Sequence, residues 1–131
     1  NRYNKPLSMI MLDIDFFKKI NDTHGHLVGD DVLVLMCNLI KNSIRESDYL
    51  IRWGGEEFLI LTPEIDLDAA VKLAEKLRIL IEKNVFNTAG YITISLSVVQ
   101  KNDDELLENL LKRLDNLLYD SKRSGRNKTS F

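Results

Sequence analysis

Arg52-Trp53-Gly54-Gly55-Glu56-Glu57-Phe58 sets two glycines and two acids between β-like flanks, Asp48 to Trp53 upstream and Phe58 to Thr62 downstream. Gly-Gly between two strand patterns reads as a tight hairpin turn. Pro63 then closes the second strand, because proline cannot donate to a ladder. A hairpin set among helical periodicities decides the fold class. A turn by itself needs no acid pair, so this hairpin is expected to hold a cation or a proton-transfer group at its tip.

Working outward, Leu7 to Ile14 is a mostly apolar run ending in Asp13 and Asp15, the pattern of a buried strand that runs into a polar site. Phe16 to Asp22 reads as a short helix with Asp15 as its N-cap. Thr23 to Gly29 reads as a loop. From Asp30 to Ile44 the apolar positions Val32, Leu35, Met36, Leu39, Ile40 and Ile44 follow helical spacing. Beyond the hairpin, Asp66 to Asn84 carries the stripe Ala70, Val71, Ala74, Leu77 and Ile81. Tyr91 to Val99 is rich in β-branched residues and reads as a strand. Asp103 to Lys122 is a third long helix with Leu107, Leu110, Leu111, Leu114 and Leu118 inward. Lys128 to Phe131 is expected to add an edge strand. Strand, two helices, hairpin, helix, strand, helix is the order of an α+β domain with a central, mostly antiparallel sheet covered by helices.

The whole chain bounds what such a domain does. Its 131 residues make one domain (1–131) large enough for a core. A net charge of −2 argues against a general nucleic-acid binder, which carries a basic excess. A small phosphorylated ligand needs only a few local cations and is not excluded. The lone Cys37 cannot form an intrachain disulfide and sits in an apolar helical stretch, which fits the core and a cytoplasmic location. No apolar run is long enough to span a bilayer. The chain starts at Asn1 without a methionine, so a truncated start is expected, as is an upstream part that is missing.

Several side chains can carry chemistry. If the first strand neighbours the hairpin, Asp13 and Glu56 converge, and hard oxygen ligands of that kind suit Mg²⁺, an ion commonly shared with substrate phosphates. The bland alternative is a strand-end cap and solvated turn charges, and spacing alone leaves both open. The helix start at Phe16, Phe17 and Lys18 offers unpaired amides and a mobile cation to phosphate; core phenylalanines and a surface lysine are the plain reading, and the two can coexist. Asn21 and Asp30 flank the loop. A carboxylate accepts from N1–H and the exocyclic amine of guanine, but taken alone the two residues are better explained as a helix end and a helix cap. Lys122 and Arg126 bracket a glycine turn and can clamp terminal phosphates, yet cations at a helix C-terminus are ordinary. His24 and His26 lack cysteine partners, which argues against zinc.

Taken in order, Asp13-Ile14-Asp15-Phe16-Phe17-Lys18-Lys19-Ile20-Asn21-Asp22, Gly25-His26 and Gly29-Asp30, then Arg52 to Phe58, Thr93-Ile94-Ser95 and Lys122-Arg123-Ser124-Gly125-Arg126-Asn127 resemble a GGDEF-domain diguanylate cyclase in its GGEEF form. The likeness covers nearly the whole chain. It implies a fold similar to the palm of polymerases and nucleotidyl cyclases. It implies that Asp13, the Ile14 carbonyl and Glu56 hold Mg²⁺, with Mn²⁺ as a substitute. Glu57 would be a second metal contact or help deprotonate the attacking hydroxyl. Asn21 and Asp30 would read guanine, and Phe16, Phe17, Lys18, Lys122 and Arg126 would hold a triphosphate.

The reaction so implied joins two GTP into cyclic di-GMP with release of two pyrophosphates. One domain is then half a site, and a second GGDEF domain must face it. Arg45 and Asp48 match the spacing of the family's product-inhibition site, to which Lys76 or Arg78 would add a cation. Two features depart from the family pattern. Ser97 stands where glycine is usual, and the Asp-x-Leu-Thr-Gly-Leu stretch that precedes the residues matching Asn1-Arg2 is missing. An upstream sensor is expected, which makes this the cytoplasmic domain of a membrane-bound or soluble sensor. The competing readings are a silent GGDEF relative that senses GTP or cyclic di-GMP, a cyclase of other base specificity, and a purely structural α+β domain.

Overall fold

The computed structural model describes residues 5–131; the expectation about the chain's start at Asn1-Arg2 lies outside them. Its centre is β1 (Leu7–Ile14), eight residues hydrogen-bonded on both sides. β3 (Glu57–Pro63) and β6 (Ile94–Gln100) flank it, both antiparallel. β2 (Tyr49–Arg52) forms one edge and β7 (Thr129–Ser130) the other, in the order β2-β3-β1-β6-β7. Only the β6–β7 pairing is parallel. The sheet is thus mixed and mainly antiparallel, as the hairpin implies.

The period of two along β1 sorts its side chains between two helical layers. Ile10, Leu12 and Ile14 face one way, where they meet Phe58, Ile60, Leu96 and Val98. That face is covered by α2 (His26–Lys41) and α3 (Leu67–Lys83) through Val32, Met36, Ile40, Ala74, Leu77 and Ile81. Met9 and Met11 face the other way and pack with Leu59 and Val99 beneath α4 (Leu107–Arg123). The α4 stripe Leu110, Leu114 and Leu118 is buried. Each such leucine contributes about 1.5–3 kcal/mol of burial.

Several local expectations change. Leu107, expected inward, is 65% exposed, because it lies in the first turn of α4, ahead of the buried stripe. On α2, Leu33 faces the core and Leu35 does not, since Leu33 shares the face of Val32 and Met36. Cys37 is half-buried and packs against the edge of the core. The strand expected over Tyr91 to Val99 is two pieces. β5 (Gly90–Tyr91) pairs back on β4 (Val85–Phe86), and β6 starts only at Ile94.

The loop expected over Thr23 to Gly29 is a corner of one residue. α1 (Phe17–His24) ends at Gly25, and α2 begins at the next position. Gly25 has φ 91°, a conformation that costs a side-chain-bearing residue about 1 kcal/mol or more. The hairpin also differs in detail. Trp53 and Gly54 N–H both donate to the Glu57 carbonyl, at 2.8 and 3.2 Å, so the tip is Gly54-Gly55-Glu56 and neither glycine is left-handed. The Arg52 guanidinium clips that tip by donating to the Gly54 and Gly55 carbonyls, at 3.2 and 2.6 Å.

Asp15 does not cap α1. Phe16 occupies the cap position at φ 57° with no side-chain cap bond. The Asp15 carboxylate turns inward and accepts from Thr93 Oγ1 and Ser95 Oγ, both at 2.7 Å, and from the Asn127 amide at 3.0 Å. It therefore ties the end of β1 to β6 and to the chain's last turn. Asp15→Ala is expected to lower the urea unfolding free energy by about 2–4 kcal/mol at unchanged m, because three donors lose a buried acceptor. A loss under about 0.5 kcal/mol would show that the junction does not depend on this carboxylate.

Candidate active site

The row Met9, Met11, Asp13 continues the α4 face of β1 to the strand's end, where the apolar pattern gives way to a carboxylate. Register puts Glu57 of β3 directly opposite Asp13 on one side and Ser95 of β6 on the other. Glu56 at the hairpin tip is drawn in by its own carbonyl, which accepts from Ile14 N–H at 3.2 Å. From the last turn of α4, Lys122 Nζ donates to Asp13 Oδ2. The other oxygen, Asp13 Oδ1, is buried with no protein partner.

Burial dominates the electrostatics here. It pushes the Asp13 carboxyl up from the usual aspartate range, and the Lys122 ammonium only partly offsets it. Glu56 and Glu57 are raised as well, first by burial and next by the negative charge of Asp13. Asp115 on α4 adds to the effect on Glu57. Three carboxylates that resist ionisation, with one lysine among them, make a site that a further cation would relieve. Among the described residues, no group of three His, Cys, Asp or Glu side chains is placed to hold a metal ion. Asp13 and Glu56 are an open pair, which would leave positions for waters or a ligand around a hard cation.

Beside the acids lies an open cleft of about 250 Å³. Asp13, Ile14, Phe16, Phe17, Lys18, Glu56, Lys122 and Arg126 all line it, so it gathers most of the residues expected to bind metal and phosphate. The left-handed turn at Phe16 starts α1 here, and the Arg126 guanidinium stands 4.7 Å over the Phe16 ring. Glu57 is not in the lining; it stands across the strand pair from Asp13.

Neither Asn21 nor Asp30 is in that lining. A Cβ on Gly29 would lie 1.8 Å from Asn21 Oδ1, so glycine is what lets α2 press against α1 at this point. Asp30 follows that contact directly and is exposed, while Asn21 Oδ1 is buried without a partner. Arg45 and Asp48 close on each other. Arg45 Nη2 donates to Asp48 Oδ1 at 2.7 Å, the Arg45 N–H donates to Asp48 Oδ2 at 2.9 Å, and Nη2 also reaches the Pro63 carbonyl at 2.8 Å. Asp48 is buried and the guanidinium half exposed. Lys76 is exposed on α3, whereas Arg78 is engaged by Glu75, Glu82 and Asn127.

Three residues were missed as site-builders. Asp15 and Arg52 act through backbone and hydroxyl partners that only the tertiary structure brings near. Asn127 had one legible signal, an asparagine two places after a turn glycine, where a positive φ is favoured.

Known proteins share this sequence pattern and this fold. The family description "Diguanylate cyclase, GGDEF domain" matches residues 1–128. The sequence is 39% identical over 121 residues to diguanylate cyclase DgcM of Escherichia coli (strain K12), covering 92% of this chain and 30% of that relative's length. The fold superposes on the GGDEF domain of DgcB from Caulobacter crescentus, solved in complex with c-di-GMP, with a TM-score of 0.90 and 30% identity over 95% of this chain and 77% of that one. It also superposes on the active GGEEF domain of a diguanylate cyclase from Vibrio cholerae, with a TM-score of 0.89 and 35% identity over 98% of this chain and 84% of the other. Sequence, fold and the order of the motifs thus agree, and the chain belongs to the GGDEF diguanylate cyclase domain family.

Proposed function

We propose that this domain is a GGEEF-form diguanylate cyclase that condenses two GTP into cyclic di-GMP and two pyrophosphates, depends on Mg²⁺ and works as a dimer. The observation that carries the reading is the single cleft in which Asp13, Ile14 and Glu56 meet the start of α1, Lys122 and Arg126. One end of that cleft is built for a cation and the other for phosphate oxygens. The buried, unpaired Asp13 Oδ1 is an orphan acceptor at the cation end.

Asp13, the Ile14 carbonyl and Glu56 would hold Mg²⁺, with Glu57 at hand across the strand pair. When bound, the ion lowers the pKa of the attacking hydroxyl and neutralises charge on the transferring group. The amides of Phe16 and Phe17 at the start of α1, with the Lys18, Lys122 and Arg126 side chains, bind and orient the triphosphate. Lys122 must exchange Asp13 for phosphate as the nucleotide enters. Asn21, packed against Gly29, and Asp30, the next residue of α2, read the guanine edge. Asp30 on N1–H and the exocyclic amine selects against adenine. Glu57 takes the proton of the 3′-hydroxyl. One cleft binds one nucleotide, so the 3′-hydroxyl and the α-phosphorus that react come from two copies facing each other, and dimerisation works by positioning. Full-length relatives are far longer than this chain, and an upstream sensor would set the dimer.

The Arg45–Asp48 pair is the proposed site for inhibitory cyclic di-GMP. The buried Asp48 holds a guanidinium that is half exposed, so Arg45 is what the product meets, and Lys76, exposed on α3, would add a cation from the same or a second domain.

With dimers enforced by a fused coiled coil, GTP and Mg²⁺ are expected to yield cyclic di-GMP, resolved chromatographically. Glu57→Ala is expected to cut the rate by at least about 100-fold. GTP binding without product in the enforced dimer would replace the cyclase reading with that of a GTP sensor. Arg45→Ala is expected to raise the product concentration for half-inhibition by about tenfold, since a charge-assisted fork is lost; an unchanged value would remove the inhibitory assignment.

Stability should follow the raised carboxyls. Below the ordinary values of 3.8 for Asp13 and 4.5 for Glu56 and Glu57, both folded and unfolded chains are protonated there. As pH rises, the unfolded chain loses these protons first, so the cluster's contribution to stability falls until the folded groups ionise and stays low above that. Glu56→Gln is therefore expected to raise the thermal midpoint at about pH 7, and to leave it unchanged at about pH 4. Mg²⁺ should stabilise the wild type at the higher pH only. A midpoint lowered by Glu56→Gln at neutral pH would contradict this account of the cluster.

A further inference from the structure

Gly125, Arg126 and Asn127 are three consecutive residues at positive φ, 119°, 62° and 46°. Asparagine tolerates the left-handed region and arginine does so poorly, so the surroundings must hold Arg126 there. The bonds that do so converge on its neighbour. Asn127 N–H donates to Asp15 Oδ2 at 3.0 Å. Its side-chain Nδ2 donates to Glu82 Oε2 at 2.7 Å, and its Oδ1 accepts from Arg78 at 3.2 Å. Arg78 is braced in turn by Glu75, with two bonds of 2.9 Å, and Glu75 accepts from Thr129 Oγ1 at 2.7 Å. One amide thus ties α3 and β7 to the end of β1, one peptide away from the guanidinium that stands over Phe16.

We infer that Asn127 is a positioning residue for nucleotide binding. By locking onto Arg78 and Glu82 it fixes the left-handed backbone of Arg126, and so the place where that guanidinium meets phosphate. The inference rests on the nucleotide reading of the cleft. A helix end alone would need only the backbone bonds already present, Ser124 N–H to the Asp120 carbonyl and Arg126 N–H to the Ser121 carbonyl, at 3.0 and 2.9 Å. Glycine would meet the φ requirement at least as well. What glycine lacks is a neutral group that donates to a glutamate and accepts from an arginine at once, which the amide does here through two separate atoms, Nδ2 and Oδ1. Aspartate would keep the bond to Arg78 and set a negative charge against Glu82. The lock also makes α3 and the cleft one body, so a displacement of Arg78 or Glu82 is felt at Arg126.

The test uses Asn127→Gly, which keeps the backbone conformation and removes the lock. Affinity for a non-hydrolysable GTP analogue with Mg²⁺ is measured by calorimetry, and KM and kcat are measured on coiled-coil-enforced dimers. Asn127→Gly is expected to weaken nucleotide binding about tenfold, with the loss in KM and kcat within about twofold. Arg78→Gln, remote from the cleft, should shift KM in the same direction. In a double-mutant cycle, Asn127→Gly should add nothing to Arg126→Ala, because it acts only through that residue. Unchanged affinity in Asn127→Gly, or full additivity with Arg126→Ala, would overturn the positioning role while leaving the wild type a nucleotide binder. A wild type that binds no analogue would overturn the nucleotide reading and this inference together.

Discussion

The alternation of side chains along β1 is the constraint on which the rest of the structure depends. Because the strand is paired on both sides, its register is fixed twice, against β3 and against β6. Because both faces are covered, a slip by one residue would drive Met9 and Met11 into the α2–α3 layer and turn Asp13 away from α4. The same pleat that buries Ile10 and Leu12 therefore aims Asp13 at Lys122 and sets it opposite Glu57. The site is not laid on top of a finished fold. It is the polar end of the row that forms the second core.

That arrangement sets stability against reactivity. Asp13 is buried among carboxylates, and burial of a charge is costly unless it is matched. Lys122 supplies one match on one oxygen, and the other oxygen has none within the protein. A cluster optimised for the folded state alone would replace these acids with packed apolar groups. The repulsion is tolerable because it sits at the end of a sheet whose apolar rows are complete. It also leaves at the cleft an excess of buried negative charge that a cation would relieve.

The sequence made the fold class legible because its strongest signals were periodic. The stripes of α3 and α4 and the apolar run of β1 needed only spacing to be read, and the Gly-Gly pair needed only its flanks. What was hidden depended on partners far along the chain. Asp15 has the local pattern of an N-cap because it stands before a helix, whereas its true donors, Thr93, Ser95 and Asn127, come from far along the sequence. The corner at Gly25 has the sequence pattern of a loop because two glycines, Gly25 and Gly29, fall within five residues. One serves a positive φ, and the other serves close approach to Asn21. At the candidate site, the residues of the cleft were legible as types at the right ends of elements. The geometry that clips the hairpin with Arg52 and locks the last turn with Asn127 was not, since both use side chain to backbone or cross-element bonds that leave no local pattern.

The last turn has a consequence for how the domain comes into being. β1 pairs with β6 across about 80 residues of intervening chain, a topology of distant contacts that folds slowly. Lys122 and Arg126 lie beyond β6, and the Asn127 amide anchors their turn to Asp15. A domain in which only the hairpin and the α2–α3 layer have assembled carries the Arg52–Phe58 stretch but lacks the wall of the cleft that Lys122 and Arg126 supply. The hairpin is local in the sequence, whereas the cleft closes only when residues 112 positions apart meet, so the one can be intact where the other is not.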